Sequence, residues 1–246
     1  MSRCRGVGVT RHDRYVAMLA ALFAVWWIWL AVDPRYRDDW AIENVLVLIF
    51  VAVLAFTYRR FPLSKFSYTL IFVFLCLHAV GSHYTYAEVP YDAWFEALTA
   101  RSLNALMGWE RNHFDRLVHF MYGLLLAYPI REVFLRIADV RGFWGYFLPL
   151  DFTIASSAIY ELIEWSAALV VGGELGAAYL GTQGDVWDAQ RDMALASLGA
   201  LVAMSLTALV NATLRADFAE VMRESLRIKR ARPLGEEEVE RLRAGR

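Results

Sequence analysis

The chain has 246 residues, 58% of them hydrophobic and 21% charged, with a formal net charge of −1. Its apolar residues are clumped into long runs, as in membrane spans, and no basic strip interleaved with aromatic residues appears. This composition argues for a membrane protein surrounded by lipid and against nucleic acid as a partner.

Six apolar segments follow one another, at about 15–32, 42–58, 66–80, 117–135, 146–171 and 193–214. Each is near or above the length a bilayer requires. They predict an all-α fold, a polytopic membrane helical bundle of about six transmembrane helices. One membrane domain then covers 1–214, and a charged tail of mixed sign covers 215–246. The first segment follows basic residues as a signal peptide would. It is rich in Trp and ends at Asp33-Pro34 without a small-residue cleavage pattern, so it reads as a retained span. Cys4 falls in the leading tail and Cys76 inside a span, which excludes a disulfide between them and a thiolate metal site.

Sidedness follows from Lys and Arg. The short segments on the side of the termini hold ten, and the opposite loops hold five, namely Arg35, Arg37, Arg101, Arg111 and Arg191. The tail beyond Leu214 adds nine more to the first side. The positive-inside bias places both termini in the cytoplasm of a multi-pass protein of the bacterial inner (cytoplasmic) membrane. Glu174, just past the fifth segment, is then expected outside. The connection from Tyr91 to Glu110 carries Trp94, Leu98, Leu106 and Met107 among polar residues. It reads as an amphipathic helix that rests on the outer leaflet, caps a site, or packs as part of the loop.

The unusual polar residues gather at the outer ends of the later spans. The third span ends in His78, followed by His83, Tyr84, Tyr86 and Glu88. The fourth is entered through Arg111, Asn112, His113 and Asp115, and His119 lies four residues beyond Asp115 on the same helical face. Glu161 and Glu164, three apart, share a face roughly 10–15 Å below the outer end of the fifth span. Asp185, Asp188 and Asp192 have the i, i+3, i+7 spacing of one face if the stretch is helical.

Carboxylates at such depth are costly unless paired, protonated or bound to a cation. The candidates for acid–base chemistry are therefore His119, Glu161, Glu164 and Asp192. Together with Asp185 and Asp188 they also form a candidate ligand set for a divalent metal ion of unspecified identity. His83, Glu88, Arg111, His113 and Asp115 are candidate substrate contacts. Structural alternatives stand beside these roles: a salt bridge from Glu161 or Glu164 to Arg116 or Arg191, a core His119 satisfied by Asp115, or a solvated helix start for the aspartates. The spacing matches neither HExxH nor GxSxG, and no nucleotide-binding loop is present.

Four ordered blocks carry a resemblance: HYTYAEVP (83–90), ERNHFDRLVHF (110–120), YELIEW (160–165) and GTQGDVWDAQRDM (181–193). In them the chain is similar to the family of uncharacterised bacterial inner-membrane proteins that includes YjdF. A fainter likeness is to VanZ-type proteins, associated with glycopeptide-antibiotic tolerance. Those enter a span through Asp-basic-x-x-His-Phe, follow with an acid at helical spacing from a polar partner, and end in an Asp-rich motif. Asp115, Arg116, His119, Phe120, Glu161, Glu164, Asp188 and Asp192 would take those places. Glu164 and Asp192 depart from the amides more usual there and make this site more acidic. The resemblance implies a membrane domain of six-helix type and supplies no reaction.

Two functions fit these residues. One is a membrane-embedded enzyme acting at the outer leaflet on a lipid or lipid-linked envelope precursor. The other is a non-catalytic binder or transporter of a cation or polar headgroup.

Overall fold

The computed structural model describes residues 10–172, 182–229, 233 and 235–245. Arg3, Cys4 and Arg5 of the leading tail, and Glu174 and Gly181 beyond the fifth span, lie outside the described residues. The elements in chain order are α1 (Arg11–Ala31), α2 (Arg37–Thr57), α3 (Lys65–His83), α4 (Tyr91–Thr99), α5 (Leu103–Met107), α6 (Phe114–Ile137), α7 (Trp144–Val171), α8 (Asp188–Leu214), α9 (Phe218–Ser225) and α10 (Glu236–Ala244). Helices α1, α2, α3, α6 and α8 are long and apolar enough to cross a bilayer. With 28 residues, α7 has the length for a sixth span. The fold is thus the all-helical membrane bundle that the apolar runs predict. Large apolar side chains such as Phe56 and Val170, 83% and 87% exposed, cover its outside, as a surface bathed in lipid requires.

At the starts of α1 and α3, side chains satisfy free N–H groups of the first turn. At α1, Thr10 Oγ1 accepts from Asp13 N at 3.1 Å and the Asp13 carboxylate accepts from Thr10 N at 2.8 Å, a capping box. At α3, Ser64 Oγ accepts from Ser67 N at 3.1 Å. Helices α2 and α8 begin five residues ahead of the predicted spans without a side-chain cap, so the acids of their first turns belong to the helices.

The tightest crossing joins α6 to α8. A Cβ on Gly123 would lie 1.9 Å from the Ala196 carbonyl oxygen, and one on Gly199 would lie 2.1 Å from that of Phe120. Ala127 packs with Ala200, Ala203 and Met204 further along. Small residues let the two backbones meet, the usual device where lipid offers no hydrophobic drive between helices. The contacts advance together along both chains, so α6 and α8 run in the same direction. On α6, Asp115, His119, Gly123 and Ala127 recur every four residues. On α8, Asp188, Asp192, Ala196 and Ala200 do the same. One helical stripe therefore serves as packing seam at mid-depth and as polar site near the helix starts.

On the other side, Trp26 Nε1 donates to Cys76 O at 3.1 Å, Trp27 Nε1 to Asn44 Oδ1 at 2.6 Å, and Tyr15 and Thr69 share a 2.6 Å hydroxyl bond. These tie α1 to α2 and α3. At the opposite end from the acids, Glu132 of α6 accepts from Ser64 N at 2.8 Å and Ser67 Oγ at 2.5 Å, and Arg136 donates to it at 2.8 Å. The start of the charged tail is anchored as well: Ser225 Oγ accepts from Phe143 N and Ser225 O from Trp144 Nε1, both at 2.9 Å. The Tyr91–Glu110 connection forms two short helices, α4 and α5. They are joined by Asp92, whose carboxylate accepts from Asn104 N at 2.9 Å and Ser102 Oγ at 2.8 Å.

Candidate functional site

The alternation of the spans brings the starts of α2, α6 and α8 and the ends of α3 and α7 to one end of the bundle. Two polar layers form there. The outer layer pairs arginines with the first two aspartates of the α8 approach. Arg116 Nη2 and Arg191 Nη1 each donate to Asp185 Oδ2 at 2.5 Å, and Arg111 Nη1 donates to Asp188 Oδ1 at 2.7 Å. Asp185 lies ahead of α8 in a turn, next to Gly184 with its φ of +84°, so it does not share the helical face of Asp188 and Asp192. The Trp187 backbone N–H, with Arg191, Arg116 and Arg111, holds the Asp185 carboxyl below the usual carboxylate range. The alternative of a bridge from Arg116 or Arg191 to Glu161 or Glu164 is not what these arginines make, since both pair with Asp185.

Around this layer the connections are stitched to one another. Asn112 N donates to Gln183 Oε1 at 2.9 Å, Asn112 Nδ2 to Val89 O at 2.9 Å, and Arg111 Nη1 to Thr182 O at 3.0 Å. His113 stacks on Trp109 with ring centres 4.4 Å apart, and its backbone N–H donates to Tyr91 Oη at 3.0 Å. Burial, with Arg116 and Arg111 nearby, pushes the His113 imidazole below its ordinary value. The Tyr91 hydroxyl in turn donates to Asn104 at 2.8 Å, which holds α5 against the start of α6.

The inner layer lies below. Asp115, His119 and Asp192 each offer a ligand atom within 4.8 Å of the other two. His119 Nε2 is 3.6 Å from Asp115 Oδ1 and 3.7 Å from Glu161 Oε1. Asp192 is 2% exposed, and both its Oδ1 and Glu161 Oε1 are buried without a hydrogen-bond partner. Glu164 lies beside Glu161 and in electrostatic reach of Glu43 and Asp115. Tyr160 packs edge-on against His119 at 5.9 Å, and its hydroxyl donates to Glu43 at 3.5 Å. Two orphaned carboxylate oxygens beside an imidazole suit a divalent cation: neutral nitrogen and anionic oxygen donors, buried, with oxygens aimed at nothing else.

Sequence reasoning missed the contribution of α2. Asp39 and Asn44 are 1% and 2% exposed, and Glu43 is also buried. Asp39 Oδ2 accepts from Thr85 Oγ1 at 2.7 Å, and its Oδ1 has no partner. The signal was present: Asp39 and Glu43 have the same i, i+4 spacing as Asp115 and His119. Two other candidates stand apart from the inner acids. His83 Nδ1 is hydrogen-bonded to Leu30 O at 2.7 Å, and Glu88 accepts from Arg35 Nε at 2.7 Å and from Tyr36 Oη at 3.3 Å. His83 thus ties the end of α3 to the end of α1, and Glu88 fastens the α3–α4 connection to the one between α1 and α2. His78 does line the interior, hydrogen-bonded to Tyr86, whose ring lies over Gly81 where any Cβ would collide with it.

Residues 15–213 match the family described as "Predicted membrane protein (DUF2238)". The chain is 42% identical over 175 residues to the inner membrane protein YjdF of Escherichia coli (strain K12), an alignment covering 71% of this chain and 79% of that protein. No solved structure matches.

Proposed function

The chain belongs to the DUF2238 family of membrane proteins, and on that premise we propose that it is a metal-dependent enzyme of the inner membrane acting on a lipid or lipid-linked envelope substrate. Asp115, His119 and Asp192 hold the cation, and Glu161, 3.7 Å from His119, is the acid or base. Glu164 and Asp188 stand behind them, and Asp185 with the three arginines frames the mouth. A divalent ion bound there supplies a Lewis acid and a water of lowered pKa. Arg111 and Arg116 position an anionic headgroup at the rim, with His113, while His83 and Glu88 set the shape of the connection that roofs it.

One observation carries this reading: three convergent ligand atoms beside a wholly buried aspartate oxygen that nothing else satisfies. The charge tally along the sequence supports a mouth facing away from the cytoplasm, with both termini inside. The test is metal content. Purified full-length protein, reloaded with Zn²⁺ or Mn²⁺ and passed through a desalting column, retains about one equivalent by mass spectrometry. Asp192→Asn and His119→Gln lose it while keeping the wild-type melting curve. A wild type that retains no metal ends the metalloenzyme reading.

The run of acids from Asp39 and Glu43 of α2 toward Asp115 favours a second reading, a cation or headgroup binder or transporter without turnover. Conversion of added phospholipid or lipid-linked substrates by the metal-loaded protein separates the two.

A further inference from the structure

A cavity of about 660 Å³ runs between α2, α3, α6 and α7. Its wall at the site end includes His78, Asp115, His119 and Tyr160, and at the other end Thr57 and Ile137. Between them the lining is aliphatic and aromatic, with Val47, Phe74 and Leu126 among its residues. From His119 to Ile137 along α6 the groove covers roughly 27 Å at 1.5 Å per residue. That is nearly the whole hydrocarbon thickness of a bilayer, about 30 Å, whereas an ordinary acyl chain fills one leaflet, about half of it. Helix α2 packs chiefly on α3 and, below the Tyr160–Glu43 bond at the site end, leaves a gap toward α7. At the resulting gap Leu46, Val53 and Phe152 are 38%, 53% and 50% exposed, so the groove opens sideways to lipid.

Near the polar end, just outside the lining itself, stand two arginines of the outer layer. Arg111 Nη2 and Arg116 Nε are buried without a partner, and both guanidinium groups act electrostatically on Asp115 at the head of the groove. Arg111 and Arg116 already pair with Asp188 and Asp185 through their other nitrogens, and the two N–H groups that remain match the oxygens of a phosphate.

We propose that the groove seats the single long hydrocarbon chain of a polyprenyl phosphate, with the phosphate held at Arg111 and Arg116 beside the Asp115–His119–Asp192 centre. The headgroup half of this assignment rests on the proposed function. The chain half rests on a groove too long for an acyl tail and a lateral opening to admit it.

The test is native mass spectrometry of full-length protein in detergent, titrated with a long-chain polyprenyl phosphate, geranyl phosphate and dioleoyl phosphatidic acid. The long-chain compound binds one to one, at least about tenfold tighter than either competitor. Val133→Trp and Thr57→Trp, at the far end, shorten the groove. In whichever of the two keeps a wild-type melting curve, the preference falls below about threefold while geranyl phosphate binds as before. Equal binding of all three lipids, a preference for the diacyl lipid, or a preference untouched by the far-end tryptophans overturns the proposal. The two readings fail separately. A wild type without metal that still prefers the long chain removes the metalloenzyme and leaves the groove, and metal retained without chain preference does the reverse.

Discussion

Gly123 and Gly199 sit where α6 and α8 touch backbone to backbone, and a single methyl group there has a calculable effect. In Gly123→Ala the new Cβ starts 1.9 Å from the Ala196 carbonyl oxygen and 2.6 Å from Ala200 N, against about 3.4 Å for ordinary contact. The helices must part by about 1.5 Å, because neither obstacle is the tip of a flexible side chain. Overpacking of this kind costs about 1–3 kcal/mol, and a backbone obstacle puts it near the upper end. That corresponds to a melting temperature roughly 5–10 °C lower in detergent. Gly199→Ala, 2.1 Å from Phe120 O, behaves alike. The double variant costs less than the two single losses together, since helices already parted accommodate the second methyl group. Gly145→Ala is the control: its Cβ meets Leu135 Cδ2 at 3.2 Å, a side-chain tip that can turn aside. The measurement is thermal unfolding of the purified variants. A wild-type melting curve for Gly123→Ala, or full additivity in the double variant, refutes the close-crossing argument. The same separation draws Asp192 away from His119, so metal retention falls in both glycine variants.

Arg111→Met removes the 2.7 Å partner of Asp188, which is 4% exposed, and costs about 2 kcal/mol. That is less than the 3–5 kcal/mol of a fully stranded buried charge, because Arg116 remains 3.5 Å away. Denaturant midpoints check it, and an unchanged midpoint refutes the pairing. His113 is held neutral, so between its folded value and the ordinary value of about 6.5 the unfolded chain binds the extra proton and stability falls as pH drops through that window. His113→Gln flattens this decline, and Trp109 fluorescence quenched by the protonated ring follows a midpoint below 6.5. A midpoint at or above 6.5 contradicts the assignment. Val186→Cys, at a position 85% exposed beside the mouth, reacts with an impermeant maleimide added to intact cells. Reaction only after membrane rupture inverts the topology.

Much of this architecture was legible in the sequence because it depends on local rules. The apolar runs give the spans, and the four-residue interval from Asp115 to His119 places both on one face whatever the neighbours do. The depth of Glu161 in α7 followed from counting turns. What escaped depended on contacts between distant segments. Asp39, ahead of the span predicted from residue 42, and Glu43, just inside it, drew no reading of their own, and the helix beginning at Arg37 carries both into the interior. Asp185 has helical spacing, but Gly184 and three arginines hold it in a turn. Glu88 was drawn off by Arg35, 53 residues away. A lone glycine in an apolar run reads as a weak helix position, so the crossing at Gly123 and Gly199 had no signature of its own.

The Glu132 carboxylate also bears on how the molecule can move. Helix α6 is pinned three ways: its face is locked on α8 by the glycine crossing, its start is laced to the α8 approach, and its lower part holds the start of α3 through Glu132. A slide or turn of α6 would break all three together, so α3, α6 and α8 act as a stator. Helix α2 has no such fastening to α6 or α8 beyond weak contacts, yet it contributes Asp39 and Glu43 above and Leu46 and Val53 along the lateral gap. A displacement of α2 would change both the width of the gap and the number of carboxylates facing the centre, and its bonds from Asn44 to Ser82 and from Asp39 to Thr85 would have to give in the same step.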